Sequence, residues 1–180
     1  MSTLAPGARI SVLFDAESIA SRVRALAGEI VAEMGHSPLV IPVLKGSFIF
    51  AADLLRALHE AGAEPDMDFI GLSSYGRGTL SLGEVKIVRD TEAEIAGRDV
   101  LIVDDILESG RTLAFAKDLM AARRAKSVKT CVLLDKPGKL AVQMKADFTG
   151  FQCADKFVVG YGMDMAHAYR QLPFVGVVES

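Results

Sequence analysis

No stretch of the chain approaches the roughly 20 consecutive apolar residues that span a bilayer, although 51% of its 180 residues are hydrophobic. The segment Met1 to Arg9 lacks the basic-then-apolar pattern of a secretory signal. Cysteine is scarce as well. Cys131 and Cys153 sit in apolar, strand-like surroundings without CxxC spacing, which reads as two reduced core residues rather than a disulfide framework or metal site. Together these absences lead us to expect a cytoplasmic protein. An excess of positive charge is also missing: Lys plus Arg number 20 against 23 Asp plus Glu, a net charge of -3, so no sequence-independent grip on a nucleic-acid backbone is expected. Neither GxxxxGK[ST] nor GxGxxG occurs, which argues against nucleoside triphosphatase and dinucleotide-binding readings.

What is present is an alternation of strand and helix patterns. The length fits a single domain over residues 1–180, and no repeat, low-complexity stretch or linker divides it. Asp15 is placed as an N-cap, and Ile19, Val23, Leu26 and Ile30 then recur at helical spacing up to Gly35. Leu39–Leu44 reads as a strand and Phe48–Ala61 as the helix after it, stopped by Gly62. Further strands are expected at Phe69–Leu72, Val85–Val88, Val100–Val103, Val128–Leu134 and Phe157–Val159, with a helix at Arg111–Arg124 and a closing segment at Phe174–Val178. This order predicts an α/β fold with a mostly parallel twisted sheet flanked by helices. Residues 73–84, carrying Gly76, Gly78, Ser81 and Gly83, form one long insertion of the kind that serves as a lid. His36, His59 and His167 have no partner at metal-ligand or nucleophile spacing, and Arg123, Arg124, Lys126 and Lys129 read as a solvated helix-end face.

The chemistry concentrates in Val100-Leu101-Ile102-Val103-Asp104-Asp105-Ile106-Leu107-Glu108-Ser109-Gly110-Arg111-Thr112-Leu113. An apolar strand delivers Asp104 and Asp105 to its C-terminal end, where open α/β sheets bind ligands. A Glu-Ser-Gly-Arg-Thr turn then opens a helix whose first amides, with the Ser109 and Thr112 hydroxyls, suit a phosphate monoester. Carboxylates repel phosphate, so the acid pair suits sugar hydroxyls and Mg²⁺ held through its waters. One anion end and one hydroxyl end fit a ribose 5-phosphate. The stretch resembles the phosphoribosyl pyrophosphate signature of the type I phosphoribosyltransferases, and the likeness extends along nearly the whole chain toward the hypoxanthine/guanine branch.

That resemblance implies roles for further residues. Lys45 and Gly46, in Leu44-Lys45-Gly46-Ser47, would face pyrophosphate; taken alone the segment is an ordinary turn with Ser47 as N-cap. Ser73-Ser74-Tyr75-Gly76-Arg77-Gly78-Thr79 matches the family's flexible loop, with Tyr75 keeping water from the reacting centre. Lys136, in Leu133-Leu134-Asp135-Lys136-Pro137, would read the purine 6-oxo group. In Asp155-Lys156-Phe157-Val158-Val159-Gly160-Tyr161-Gly162-Met163-Asp164, Phe157 would stack on the base and the Val158 backbone would meet its edge. Asp164 would join Asp104 and Asp105 around magnesium, and Arg170 would contact pyrophosphate, although by sequence alone Arg170 could equally sit on a helix surface. Glu108 stands where many members carry aspartate; as the group exchanging a proton with purine N7 it keeps the carboxylate and adds a methylene. Gly110 and Arg111 complete the phosphate loop.

The implied activity is Mg²⁺-dependent transfer of the ribose phosphate of phosphoribosyl pyrophosphate to hypoxanthine or guanine, by a homodimer or homotetramer. The implied fold adds a small hood built from the N-terminal segment and about residues 150–180. A rival from another class is a regulator on the same fold that senses phosphoribosyl pyrophosphate and contacts nucleic acid; the acidic net charge and the intact base-binding segment speak against it.

Overall fold

A computed structural model describes residues 9–74 and 84–179, so Tyr75 and most of the expected lid lie outside the described residues. Among the described residues ten strands and three helices follow one another: β1 (Ile10–Phe14), α1 (Ala16–Met34), β2 (Leu39–Leu44), α2 (Phe48–Glu60), β3 (Asp66–Met67), β4 (Ile70–Ser74), β5 (Val85–Arg89), β6 (Asp99–Leu107), α3 (Arg111–Ala122), β7 (Ser127–Asp135), β8 (Phe148–Gln152), β9 (Val158–Val159) and β10 (Val175–Val178).

The helices start and stop for local reasons. The Asp15 carboxylate accepts from the Ser18 N–H at 2.8 Å, and Gly35, at φ 79°, returns its N–H to the Val31 carbonyl, so α1 is capped at both ends as expected. Its stripe of Ile19, Val23, Leu26, Ala27 and Ile30 is buried.

The main sheet runs β5-β4-β2-β6-β7-β8, with β3 beside β2; every pairing is parallel except β4 with β5. The central strand β6 explains the layering. Val100, Leu101, Ile102 and Val103 are all fully buried, and because neighbours on a strand point to opposite faces they serve two cores. Leu101 and Val103 join α1 and α2 on one face, while Val100 and Ile102 join Leu113, Ala116 and Met120 of α3 on the other. Each such side chain contributes roughly 1.5–3 kcal/mol of burial. None of the described helices is long and apolar enough to cross a membrane.

A second, antiparallel sheet of β1, β10 and β9 packs against the α1 and α2 side: Val158, Tyr161 and Val175 share that core, and Phe14 stacks on Phe151 at 4.2 Å between ring centres. Three strands, β1, β3 and β8, were not expected, and β6 continues four residues past Val103 to Leu107, carrying the acid pair inside the strand. The basic group at the end of α3 also differs from a solvated face. Arg123 makes a bidentate pair with Asp90, Lys126 meets Asp99 at 2.8 Å, and Lys129 meets Glu33 at 2.6 Å.

Candidate active site

Parallel strands present their C-terminal ends on one edge, so β2, β6 and β7 bring Leu44, Leu107 and Asp135 to the same rim. A cavity of about 340 Å³ opens there, bounded by Val43, Leu44 and Gly46 on one side and by the continuous run Asp104 to Gly110 with Thr112 on the other.

Asp104 and Asp105 form its floor. Asp104 is buried, its carboxylate accepting from the Asp105 N–H at 3.0 Å, and the Asp105 carboxylate accepts from the Ile106 N–H at 3.0 Å. Burial, and the neighbouring Asp105 charge, push the Asp104 carboxyl well above the usual carboxylate range. Burial also raises Asp105, against a lowering from its own hydrogen bonds and the field of Arg170. Neither carboxylate belongs to an ion pair among the described residues. No group of three or more His, Cys, Asp and Glu is placed to cage a metal among those residues.

The opposite end of the cavity is an anion cradle. Helix α3 begins at Arg111 behind Gly110, whose φ of 78° is the left-handed region that favours glycine, and it has neither a side-chain cap nor an acid in its first turn. The Arg111 N–H is taken by the Ser109 hydroxyl at 3.3 Å, and the remaining opening amides, with Ser109 and Thr112 lining the cavity, meet no built-in carboxylate. The Ser109 carbonyl is held by the Ala141 and Val142 N–H groups, which fixes the loop from behind.

Glu108 leads to the next group. Buried Lys136 donates from Nζ to the Lys156 carbonyl at 2.6 Å and lies 3.5 Å from the Glu108 carboxylate. Lys139 stands 3.7 Å from that carboxylate and pairs with Asp155 at 2.6 Å. Just beyond, Phe157 is 52% exposed although a Phe ring normally seeks the core, and Val158 beneath it is buried in the small sheet. An exposed ring one residue from the carbonyl that holds Lys136 is suited to a flat polar heterocycle.

On the third side, the Leu44–Lys45 peptide is cis and Lys45 is exposed. Ser47 is fully buried; its hydroxyl donates to the Val43 carbonyl at 2.6 Å and makes no helix cap. Asp164 and Arg170 pair with each other at 2.7 Å, and Arg170 also donates to the Gly162 carbonyl. Arg170 lies among turns rather than on a helix. Asp164 is thus engaged by Arg170 and by the His167 N–H, apart from the Asp104 and Asp105 pair.

The Phosphoribosyl transferase domain family matches residues 10–166. The chain belongs to the phosphoribosyl transferase family. It is 46% identical over 169 residues to the hypoxanthine-guanine phosphoribosyltransferase of Bacillus subtilis, covering 93% of this chain and 92% of that protein. It is 47% identical to the bifunctional protein TilS/HprT of Listeria innocua, but spans only 26% of that longer protein's length. Among structures, a hypoxanthine-guanine phosphoribosyltransferase of Bacillus anthracis, with a HEPES molecule in its active site, superposes with a TM-score of 0.88 at 42% identity over 96% of this chain and all of that one (100%). A hypoxanthine phosphoribosyl transferase of Trypanosoma cruzi gives 0.90 at 36% identity over 99% and 95%.

In this member of the family the expected residues that are described fall into three groups: Asp104 to Thr112 at the cavity, Lys136 bonded to the segment that carries Phe157 and Val158, and Lys45 and Gly46 beside the Gly162 turn, which holds Arg170 and through it Asp164. Sequence reading missed Lys139 and Asp155, which only the spacing of lysines after β7 could have suggested. It also missed Tyr161, whose partner is Asp53, 108 residues away; no local signal points to it.

Proposed function

We propose that the chain is a purine salvage transferase that joins hypoxanthine or guanine to the ribose phosphate of phosphoribosyl pyrophosphate, releasing pyrophosphate, in the cytoplasm and as a homodimer or homotetramer. The observation that carries the proposal is the single cavity in which the carboxylates of Asp104 and Asp105 meet the open N-terminus of α3. Hydroxyl acceptors and a phosphate cradle at opposite ends suit a ribose 5-phosphate. The names of the full-length relatives support the same reading.

In this reading Ser109, Gly110, Arg111 and Thr112 hold the 5-phosphate, and Asp104 and Asp105 accept from the ribose hydroxyls. The purine stacks on Phe157 with its edge against the Val158 backbone, and Lys136 turns its ammonium toward the 6-oxygen. As the bond from ribose C1 to pyrophosphate oxygen breaks and the bond to a purine nitrogen forms, Glu108 takes the N7 proton and Lys136 steadies the charge on the 6-oxygen. Arg170 and the Lys45–Gly46 segment receive the departing pyrophosphate. Tyr75 and residues 73–84 serve as the lid of a single domain that the small sheet completes as a hood, excluding water so that hydrolysis does not compete.

Magnesium fits the donor set. One buried and one half-buried carboxylate, neither in an ion pair among the described residues, suit a hard cation that keeps its waters, and when bound it would neutralise pyrophosphate charge. Asp104 and Asp105 would hold it on the ribose side and Asp164 on the pyrophosphate side.

A spectrophotometric assay with phosphoribosyl pyrophosphate and magnesium, offering hypoxanthine, guanine, xanthine and adenine in turn, tests the proposal; magnesium-dependent turnover of a 6-oxopurine is expected. No turnover of any base alongside tight phosphoribosyl pyrophosphate binding would favour the nucleic-acid-contacting regulator. Replacing Glu108 with Ala should cut turnover roughly 10²-fold or more while sparing phosphoribosyl pyrophosphate binding; unchanged turnover would remove Glu108 from its role.

A further inference from the structure

The turn after β9 is built in an unusual way. Gly160, Tyr161 and Gly162 all have positive φ, at 94°, 49° and 101°. The glycines are required by contact as well as by conformation: a Cβ on Gly160 would overlap the Phe174 carbonyl, and one on Gly162 would overlap the carbonyl of Gly46. Gly46 in turn is pressed on the Asp105 carboxylate, where its own Cβ would collide. The Gly162 turn, the Lys45–Gly46 segment and the acid pair are therefore stacked without slack. A displacement of the turn is felt two layers away.

A bulky aromatic residue at φ 49° between those glycines is costly unless its side chain returns something. It does: the buried Tyr161 hydroxyl donates to Asp53 Oδ2 at 2.6 Å. Burial, then this hydrogen bond and the charge of Asp53, hold the phenol protonated by pushing its pKa up. Asp53 belongs to α2, the helix that begins directly after Lys45–Gly46, and its other oxygen is fixed by Arg56 at 2.9 Å. The two ends of the pair thus hold the two segments that meet at Gly46. The turn also presents its Gly162 carbonyl to Arg170 at 2.6 Å, so the same anchor sets the guanidinium.

We propose that Tyr161 and Asp53 are positioning residues that lock the Gly160–Gly162 turn onto the Lys45–Gly46 segment and so fix the pyrophosphate side of the site, without touching substrate. The inference rests on the reading of Lys45, Gly46 and Arg170 as the groups facing pyrophosphate. Loss of the lock should weaken pyrophosphate and phosphoribosyl pyrophosphate while leaving the purine pocket, built on Lys136 and Phe157, as it was.

Tyr161→Phe keeps the ring and deletes one hydrogen bond. The expected result is a rise of roughly three- to tenfold in the KM for phosphoribosyl pyrophosphate, with the purine KM unchanged. A matching rise is expected in the Kd of magnesium pyrophosphate measured by calorimetry, a readout that needs no turnover. Asp53→Asn, which retains an acceptor oxygen, should stay near wild type, whereas Asp53→Leu should reproduce Tyr161→Phe, and the double variant should be no worse than either single one. Equal loss in both KM values, or a lowered melting temperature with the calorimetric Kd unchanged, would reduce the pair to a structural role and overturn the inference alone. A wild-type protein that neither turns over a purine nor binds magnesium pyrophosphate would overturn the proposed function, and this inference with it.

Discussion

Strand β6 begins at Asp99 and carries Asp104 in its C-terminal half, and the two halves treat the same side chain in opposite ways. At its N-terminal end Asp99 is met by Lys126 at 2.8 Å and by the Ser127 hydroxyl at 2.6 Å, and these partners lower its pKa. Five residues on, Asp104 is buried beside a second carboxylate with no cation in contact, and its pKa is raised. The N-terminal rim continues this habit of pairing with Arg123 on Asp90 and Lys129 on Glu33. At the C-terminal rim Glu108 and Asp164 also meet cations, but Asp104 and Asp105 at the cavity are left without one among the described residues. Carboxylates that serve the fold are satisfied within the chain, whereas the acid pair of the candidate site remains available to a ligand, at a cost to the empty protein.

The largest effect should come from cancelling the difference at the C-terminal end. Asp104→Asn keeps an acceptor oxygen for the Asp105 N–H but removes a buried, unpaired charge. The KM for phosphoribosyl pyrophosphate should rise roughly ten- to a hundredfold, since a charge-assisted hydrogen bond to ribose is lost. The ligand-free protein should meanwhile melt higher, at about 2–4 °C per kcal/mol gained. Calorimetric melting without ligand decides the matter: a lower melting temperature would mean that Asp104 serves the fold as Asp99 does, and the contrast between the ends would be gone.

A carboxylate of the opposite kind is Asp68, placed between β3 and β4. Burial works against its charge, but hydrogen bonds from the Thr91 hydroxyl and the Phe69, Glu92 and Ala93 N–H groups outweigh that and hold its carboxyl at about 2. A carboxylate depressed in the folded state adds stability above its unfolded value of 3.8 and loses it as the pH falls toward 2. Asp68→Ala should therefore cost about 2 kcal/mol at neutral pH and flatten the stability profile between about pH 4 and 2, with activity retained. Denaturant midpoints across that range measure it. A profile as steep as wild type would assign the acid sensitivity to other groups.

Much of this architecture was legible because its determinants are local. The spacing of Ile19, Val23, Leu26 and Ile30, the Asp15 cap and the apolar run Val100–Val103 each act through neighbours in sequence. The missed strands act through distant ones. In β8, Phe148–Gln152, a side chain on Gly150 would collide with the Leu133 carbonyl, and the Gly150 and Thr149 carbonyls are taken by Arg22 of α1, 128 and 127 residues away. Likewise the unmatched state of Asp104 and Asp105 follows from which strands flank them. The motif announced that two acids stand together, but only the burial around them makes one differ from Asp99. Tyr161 was legible as part of a base-binding segment and illegible as the partner of Asp53, since hydrogen bonds over such separations leave no periodicity.

The smallest effect should come at the paired end itself. Lys126→Ala removes the cation from Asp99, but the lysine side chain is 67% exposed, and water together with the Ser127 hydroxyl can take over its part. The expected loss is below about 1 kcal/mol, shrinking further as salt is raised, because exposed pairs are screened. Turnover should not change. Unfolding of wild type and variant at low and high salt measures both quantities. A loss of several kcal/mol, or one indifferent to salt, would show that Asp99 is desolvated as severely as Asp104; the two ends of β6 would then differ in whether a counter-ion is supplied, and not in how far the carboxylate is withdrawn from water.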